Sequence, residues 1–325
     1  MAVATRFDNV QALRGIAALM VCVFHLVGHT DGVRRLLPDG DAVLQLSSYG
    51  PTGVFVFFVI SGFIIPYSMH RSNYDIGQFL NFFKKRLWRL HPPYILTLLL
   101  TIAVVAFNNF YGKSNEDLGA IRLLSHFFYT TKIINLEWLN PIFWTLAIEI
   151  QYYLLLALTF PWFNGDKFWQ RASFVSILLV STYFLKDDRF LTFYIGPFVL
   201  GFSIFYFLIK KINFLEASLY AVLASINILY FVGPHWLIAS TFAVFFILYI
   251  IKTPRILNGL GEISYSLYLT HPLFGGLFIY LLLPYISGPW SGYAILTGGV
   301  VFSIFMSHLF YLLIERRSIA WSKKT

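Results

Sequence analysis

The stretch NVQALRGIAALMVCVFHLVGH, residues 9–29, decides the fold class. Its length is close to the roughly 20 apolar residues that a helix needs to span a bilayer. It nevertheless carries Arg14 and His25. An ionisable side chain inside a membrane span is costly to hold, so each marks a candidate functional position. At about 100° per residue, their separation is close to three turns, which sets both on one helix face about 16 Å apart along the axis. No cleavable leader is expected. Asp8, Gln11 and Arg14 interrupt the run, and no small-residue cleavage site follows.

Outward from this run, similar stretches recur along all 325 residues. They predict ten spans, near 9–29, 51–69, 88–108, 142–162, 172–186, 192–209, 215–232, 234–251, 265–286 and 293–314. The expected fold is all-α: a polytopic membrane helix bundle of about ten transmembrane helices, one domain over residues 1–325. Turn signals such as Gly50-Pro51, His91-Pro92-Pro93, Gly233-Pro234 and Gly288-Pro289 fall between the runs. Composition agrees. Charged residues are 12% of the chain, against about 25% in a soluble domain, and mean hydropathy is +0.70. Counting Lys and Arg with the N-terminus inside gives about 16 in the inner segments and about 7 outside, so both termini are expected to be cytoplasmic. The net charge of +9 is explained by that bias, and no nucleic-acid partner is expected. The single cysteine, Cys22, excludes a disulfide within the chain and a cysteine metal cluster.

Other spans carry polar groups. In the fourth, Phe143-Trp144-Thr145-Leu146-Ala147-Ile148-Glu149 sets a carboxylate about 10 Å from the outer edge, a depth at which it can meet His25 and orient its imidazole. Glu149 can equally be held by Tyr152 and Tyr153, three and four residues on. In the ninth, Ser264, Tyr268 and His271 share one helix face. Such a stripe suits chemistry or hydrogen bonding between helices. The second span has small residues, Gly53, Ser61 and Gly62, that fit close packing or room for a ligand. Lys84, Lys85, Arg86 and Arg89 precede the third span. Arginine forks suit phosphate oxygens, and the positive-inside rule produces the same block without a ligand. His25 and His29 have metal-ligand spacing, but the donor set around them is poor and no metal is expected.

Together these segments resemble the acyltransferase family 3 membrane proteins. Arg14 to His25, in the context Gln11-Ala12-Leu13-Arg14-Gly15, is similar to that family's opening motif. The stretch from Gly53 to Phe63, ending Ile-Ser-Gly-Phe, resembles its second motif. Arg86-Leu87-Trp88-Arg89-Leu90-His91-Pro92, Phe143 to Glu149, and Ser264 to Pro272 resemble its third-helix, tryptophan-to-glutamate and late serine-tyrosine-to-histidine segments. The order is the family's. Many members have two glutamates where this chain has Glu149 followed by Ile150, which leaves one carboxylate here. Because the chain ends soon after its last span, it resembles the stand-alone form.

The resemblance implies transfer of an acetyl, succinyl or other short acyl group from acyl-CoA, acetyl-CoA or succinyl-CoA, to a hydroxyl of a carbohydrate acceptor such as exopolysaccharide or O-antigen units. The setting it implies is the lipid bilayer of a bacterial inner membrane. On that reading His25 is the general base, oriented by Glu149, while Tyr268 and His271 position the thioester or stabilise the oxyanion. Arg14, Arg86 and Arg89 hold the CoA phosphates, and the acyl arm passes Gly53, Ser61 and Gly62. Direct transfer and an acyl-histidine relay both remain open. Two rival functions share the residues: a transporter or flippase of a lipid-linked sugar, and a glycosyltransferase using Asp31, Asp39 and Asp41.

Overall fold

The computed structural model describes residues 7–28 and 31–324. Arg6 and His29 lie outside the described residues. In chain order the helices are α1 (Asp8–Gly28), α2 (Asp31–Leu36), α3 (Ala42–Ser47), α4 (Gly53–Arg71) and α5 (Phe79–Phe110). Then come α6 (Ala120–Phe127), α7 (Phe143–Phe163), α8 (Phe168–Phe184), α9 (Ile195–Leu208) and α10 (Phe214–Phe231). The last are α11 (Pro234–Tyr249), α12 (Arg255–Glu262), α13 (Ser264–Leu282), α14 (Pro289–Phe310) and α15 (Arg316–Ser322), with a π-helical turn, Tyr311–Glu315, between the final two. No strand occurs among the described residues.

Eight of these helical stretches are long and apolar enough to cross a membrane, so the chain is a multi-pass membrane protein with an all-α fold. The two other expected spans are helical but shorter: α11 has 16 residues and α8 has 17. The polar start of α8, with Gln170 and Arg171, shortens its apolar part.

Packing divides the chain into two compact units, interleaved in sequence. The first comprises Met1–Phe24, Gln45–Gln78 and Leu156–Ser264; the second His25–Leu44, Phe79–Leu155 and Tyr265–Thr325.

In the first unit small residues let backbones touch. A Cβ on Gly62 would lie 2.3 Å from the carbonyl oxygen of Phe198, and one on Gly201 2.4 Å from that of Val59. α4 and α9 therefore meet main chain to main chain, with Phe58 stacked on Phe198 beside the contact. Gly53 meets the Ala17 carbonyl of α1 in the same way, at 2.7 Å. Arg171 on α8 forms a forked pair with Glu216 on α10, at 3.1 and 3.2 Å.

In the second unit α5 departs from expectation. His91-Pro92-Pro93 reads as a turn, yet the helix runs unbroken through it. A proline at position i removes the hydrogen bond to the carbonyl of residue i−4. Pro92 and Pro93 thus free the carbonyls of Trp88 and Arg89. Ser318 Oγ of α15 donates to both of them, to Arg89 at 3.0 Å, and Tyr265 Oη donates to the next carbonyl, Leu90, at 2.8 Å. Neighbouring side chains re-satisfy the backbone, which is how prolines persist inside spans. The basic block from Lys84 to Arg89 is consequently helical and continuous with the span.

Between α5 and α7, residues 111–142 fold into a hydrogen-bonded lobe of the same unit. Arg122 is buried and donates to the Glu116 carboxylate at 2.8 Å and to the Glu137 carbonyl at 3.1 Å. Tyr94 of α5 donates to the His126 carbonyl at 2.8 Å and stacks on Tyr129, so the lobe is tied to the span.

Candidate active site

Five of the eight residues singled out from sequence contribute side chains to two polar sets in the second unit, and a sixth, Arg89, lies on the same helix as one of them. His25 comes from the last turn of α1 and His271 from α13. Nδ1 of His25 lies 3.0 Å from Nε2 of His271, and Nδ1 of His271 lies 2.9 Å from the Leu267 carbonyl oxygen. A carbonyl only accepts, so Nδ1 of His271 carries a proton. In the neutral ring Nε2 is then the acceptor. His25 must therefore donate from Nδ1, which leaves the lone pair of His25 on Nε2. The protein fixes the tautomer of both rings through one main-chain carbonyl. His271 is fully buried and His25 is half-buried.

Glu149 is placed differently from the expectation. Its Oε1 accepts a hydrogen bond from Tyr153 Oη, one turn on along α7, while the group bonded to Nδ1 of His25 is His271. The cause is helical geometry: positions i and i+4 stack on one face, so Tyr153 reaches the carboxylate without help from another element. Tyr153 in turn lies under the Arg86 guanidinium, 5.6 Å from its ring centroid, and Phe82 flanks the same cation at 5.3 Å. Arg86, Tyr153 and Glu149 form a second polar set, and Arg89 lies one turn beyond Arg86 on α5.

Tyr268 sits beside His271, with ring centroids 6.2 Å apart. Its hydroxyl is 2.8 Å from Thr145 Oγ1, which itself donates to the Ile142 carbonyl at 3.0 Å. The Tyr268 hydroxyl also lies 3.5 Å from the same Ile142 carbonyl, so the two hydroxyls share that acceptor. Sequence reasoning missed Thr145, although it stands inside the quoted Phe143-Trp144-Thr145 segment. The Ser264 hydroxyl, the third member of the predicted stripe, is buried with no hydrogen-bond partner among the described residues.

Arg14 and Ser61 belong to the first unit, and both are half-buried. The space a side chain would take at Gly53 and Gly62 is filled by the main chain of α1 and α9, so those glycines serve helix packing. Asp41 is a loop residue: it accepts from Tyr293 Oη and from the Val43 N–H at the start of α3.

A family profile of acyltransferase domains, Acyl_transf_3, matches residues 7–309. Among curated proteins, O-acetyltransferase OatA of Staphylococcus aureus is 27% identical over 74% of this chain and 49% of its own length. A putative acetyltransferase, ORF330, of Acidianus two-tailed virus is 25% identical over 82% of both chains. The chain thus spans about half the length of the staphylococcal relative. No solved structure matches the chain.

Proposed function

The chain belongs to acyltransferase family 3, and from that premise we propose that it is a membrane O-acyltransferase, moving an acetyl or other short acyl group from acyl-CoA to a hydroxyl of a carbohydrate acceptor. The observation that carries this reading is the His25–His271 pair, a base with a fixed tautomer. Nε2 of His25 takes the proton of the acceptor hydroxyl as its oxygen attacks the thioester carbonyl. The imidazolium that forms keeps its Nδ1–H bonded to His271. When the tetrahedral intermediate collapses, the C–S bond breaks and the proton passes to the leaving thiolate, giving ester and free CoA. In this reading His271, with Tyr268 packed against it, orients the base. Glu149 stabilises the Tyr153–Arg86 set.

Arg14, Arg86 and Arg89 are the anion-binding groups that suit the phosphates of CoA. The Lys and Arg bias across the spans supports a cytoplasmic side for them and for both termini, in what we read as a bacterial inner membrane. Transfer of an acetyl group to oxygen is supported by the likeness to the staphylococcal O-acetyltransferase.

The test is acetyl-CoA binding to the detergent-purified protein, followed by thiol release with and without a sugar acceptor. Wild type is expected to bind and release CoA, and His25→Ala to bind without release. A folded wild-type protein that binds neither acetyl-CoA nor succinyl-CoA rules this function out and leaves transport of a lipid-linked sugar.

A further inference from the structure

Just past the family match, which ends at residue 309, the chain carries a buried carboxylate that the mechanism above does not use. Glu315 is 2% exposed. It ends the π-helical turn Tyr311–Glu315, and such turns re-aim side chains that a regular helix would present elsewhere. Its Oε2 accepts from the Ser266 N–H at 3.1 Å and from Ser266 Oγ at 2.5 Å. Ser266 stands in the first turn of α13. First-turn N–H groups have no partner within their own helix, and the positive end of the helix dipole favours an anion there. Glu315 thus caps, from another helix, the one that carries Tyr268 and His271.

Two further contacts continue this seam: Thr270 Oγ1 lies 2.9 Å from Ser307 Oγ, and a Cβ on Gly275 would lie 2.2 Å from Ser303 Oγ. The sequence order 266, 270, 275 on α13 against 315, 307, 303 fixes an antiparallel register. One turn after Glu315, Ser318 donates to the Trp88 and Arg89 carbonyls that Pro92 and Pro93 leave open in the arginine-bearing helix. One short segment therefore grips both functional helices of the second unit.

We propose that Glu315 and Ser318 are positioning residues that act as a clamp. Glu315 sets the axial position of α13, and so where Nε2 of His271 meets His25. Ser318 holds the turn of α5 that presents Arg86 and Arg89. The proposal rests on the acyltransferase reading for its kinetic consequences and on geometry alone for its structural one.

The experiment reads both. Ring nitrogen shifts of 15N-histidine-labelled protein report the tautomer of each histidine, with His25 assigned through His25→Gln. In wild type His25 is expected as a single Nδ1–H tautomer. In Glu315→Ala it becomes a mixture, while His126, whose ring is held by Arg122 and Leu139 in the lobe, is unchanged. Thiol release from acetyl-CoA then separates the two residues. Glu315→Ala lowers kcat by about 100-fold, the cost of a misplacement of about 1 Å, with KM within about twofold. Ser318→Ala raises KM several-fold with kcat nearly kept. Glu315→Gln, which retains an acceptor for Ser266, recovers most of the loss and guards against misfolding. A His25 tautomer unchanged in Glu315→Ala overturns the clamp. So do equal effects of Glu315→Ala and Ser318→Ala on kcat and KM. If wild type releases no thiol, the functional reading fails, and the tautomer measurement still decides the clamp.

Discussion

In the first unit, residues of special type stand where helices touch; in the second, they stand where hydrogen bonds link one helix to the next. Gly62, Gly201 and Gly53 are each filled by a neighbouring carbonyl oxygen, and the Arg171–Glu216 pair ties α8 to α10. His25 and His271, Tyr268 and Thr145, and Ser266 and Glu315 are instead joined from helix to helix by side-chain or capping bonds, and Glu149 and Tyr153 are bonded within α7. In a bilayer, helices gain little from hydrophobic burial against one another, so close packing and hydrogen bonds do that work. Both devices occur in both units, but the α4–α9 contact of the first is built on the former and the candidate site of the second on the latter. Damage to the first unit should therefore read out as stability, and damage to the second as rate.

The largest effect expected is on rate. His25→Ala removes the base and should lower transfer by about 1000-fold, within the range of general base catalysis, with the melting temperature in detergent nearly unchanged. A comparable fall in melting temperature would break the contrast between the units. Next is stability: Gly201→Val forces a side chain against the Val59 carbonyl and the backbone of Gly62, at a cost of about 3 kcal/mol. Thermal unfolding should show it, and the activity of the remaining folded fraction should be close to that of wild type. Arg171→Met follows, because it leaves Glu216 unpaired with its side chain only 13% exposed. Breaking such a pair costs about 3 kcal/mol when fully buried and less here. The double change Arg171→Met, Glu216→Leu should recover much of the loss.

The same contrast explains what the sequence could reveal. Spans are legible because length and apolarity are local properties, and His25, His271 and Glu149 stand out because charge inside apolar runs is costly, whereas Arg86 stands out only as part of a basic block beside a span. Partners on other helices are not legible, whereas the local alternative, Glu149 held by Tyr153, is the one found. Depth alone favoured Glu149 beside His25, but the nearest acceptor for Tyr153 is one helical turn away, and that local bond forms instead. Glu315 escaped notice because it adjoins Arg316 and Arg317, which read as the positive inner flank of a finished span. Only the π-helical turn brings it back inside. The His91-Pro92-Pro93 signal misled for a related reason: the groups that repair the broken ladder, Ser318 and Tyr265, are more than 170 residues away in sequence.

A smaller effect sharpens the account of the second unit. Thr145→Val removes the hydroxyl bonded to Tyr268 while keeping volume. A lost hydrogen bond of this type is worth about 1 kcal/mol, so kcat should fall by severalfold and stability only slightly. Tyr268→Phe should give the same loss, and the double variant should be no worse than either single one. Additive losses would show that Tyr268 meets the reacting groups through its hydroxyl.

The smallest effect concerns the lobe, and it is read by pH. His126 is fully buried. Its Nδ1–H donates to the Arg122 carbonyl and its Nε2 accepts from the Leu139 N–H, so the ring is neutral in the folded protein. Burial, first of all, holds its pKa below the usual histidine value, with the Arg122 charge adding to the effect. A depressed histidine binds fewer protons folded than unfolded below about pH 6.5. Its contribution is therefore complete above that pH and is lost as pH falls from there toward the folded value. Between pH 7.5 and 5.5 the loss is on the order of 1 kcal/mol or less. Melting temperature measured across that window should drop in wild type, and the drop should shrink in His126→Gln, whose amide can donate and accept in the same place. An identical pH dependence in the variant would assign it to other groups. It would also leave the lobe, like the first unit, a region held by packing rather than by the protonation state of one ring.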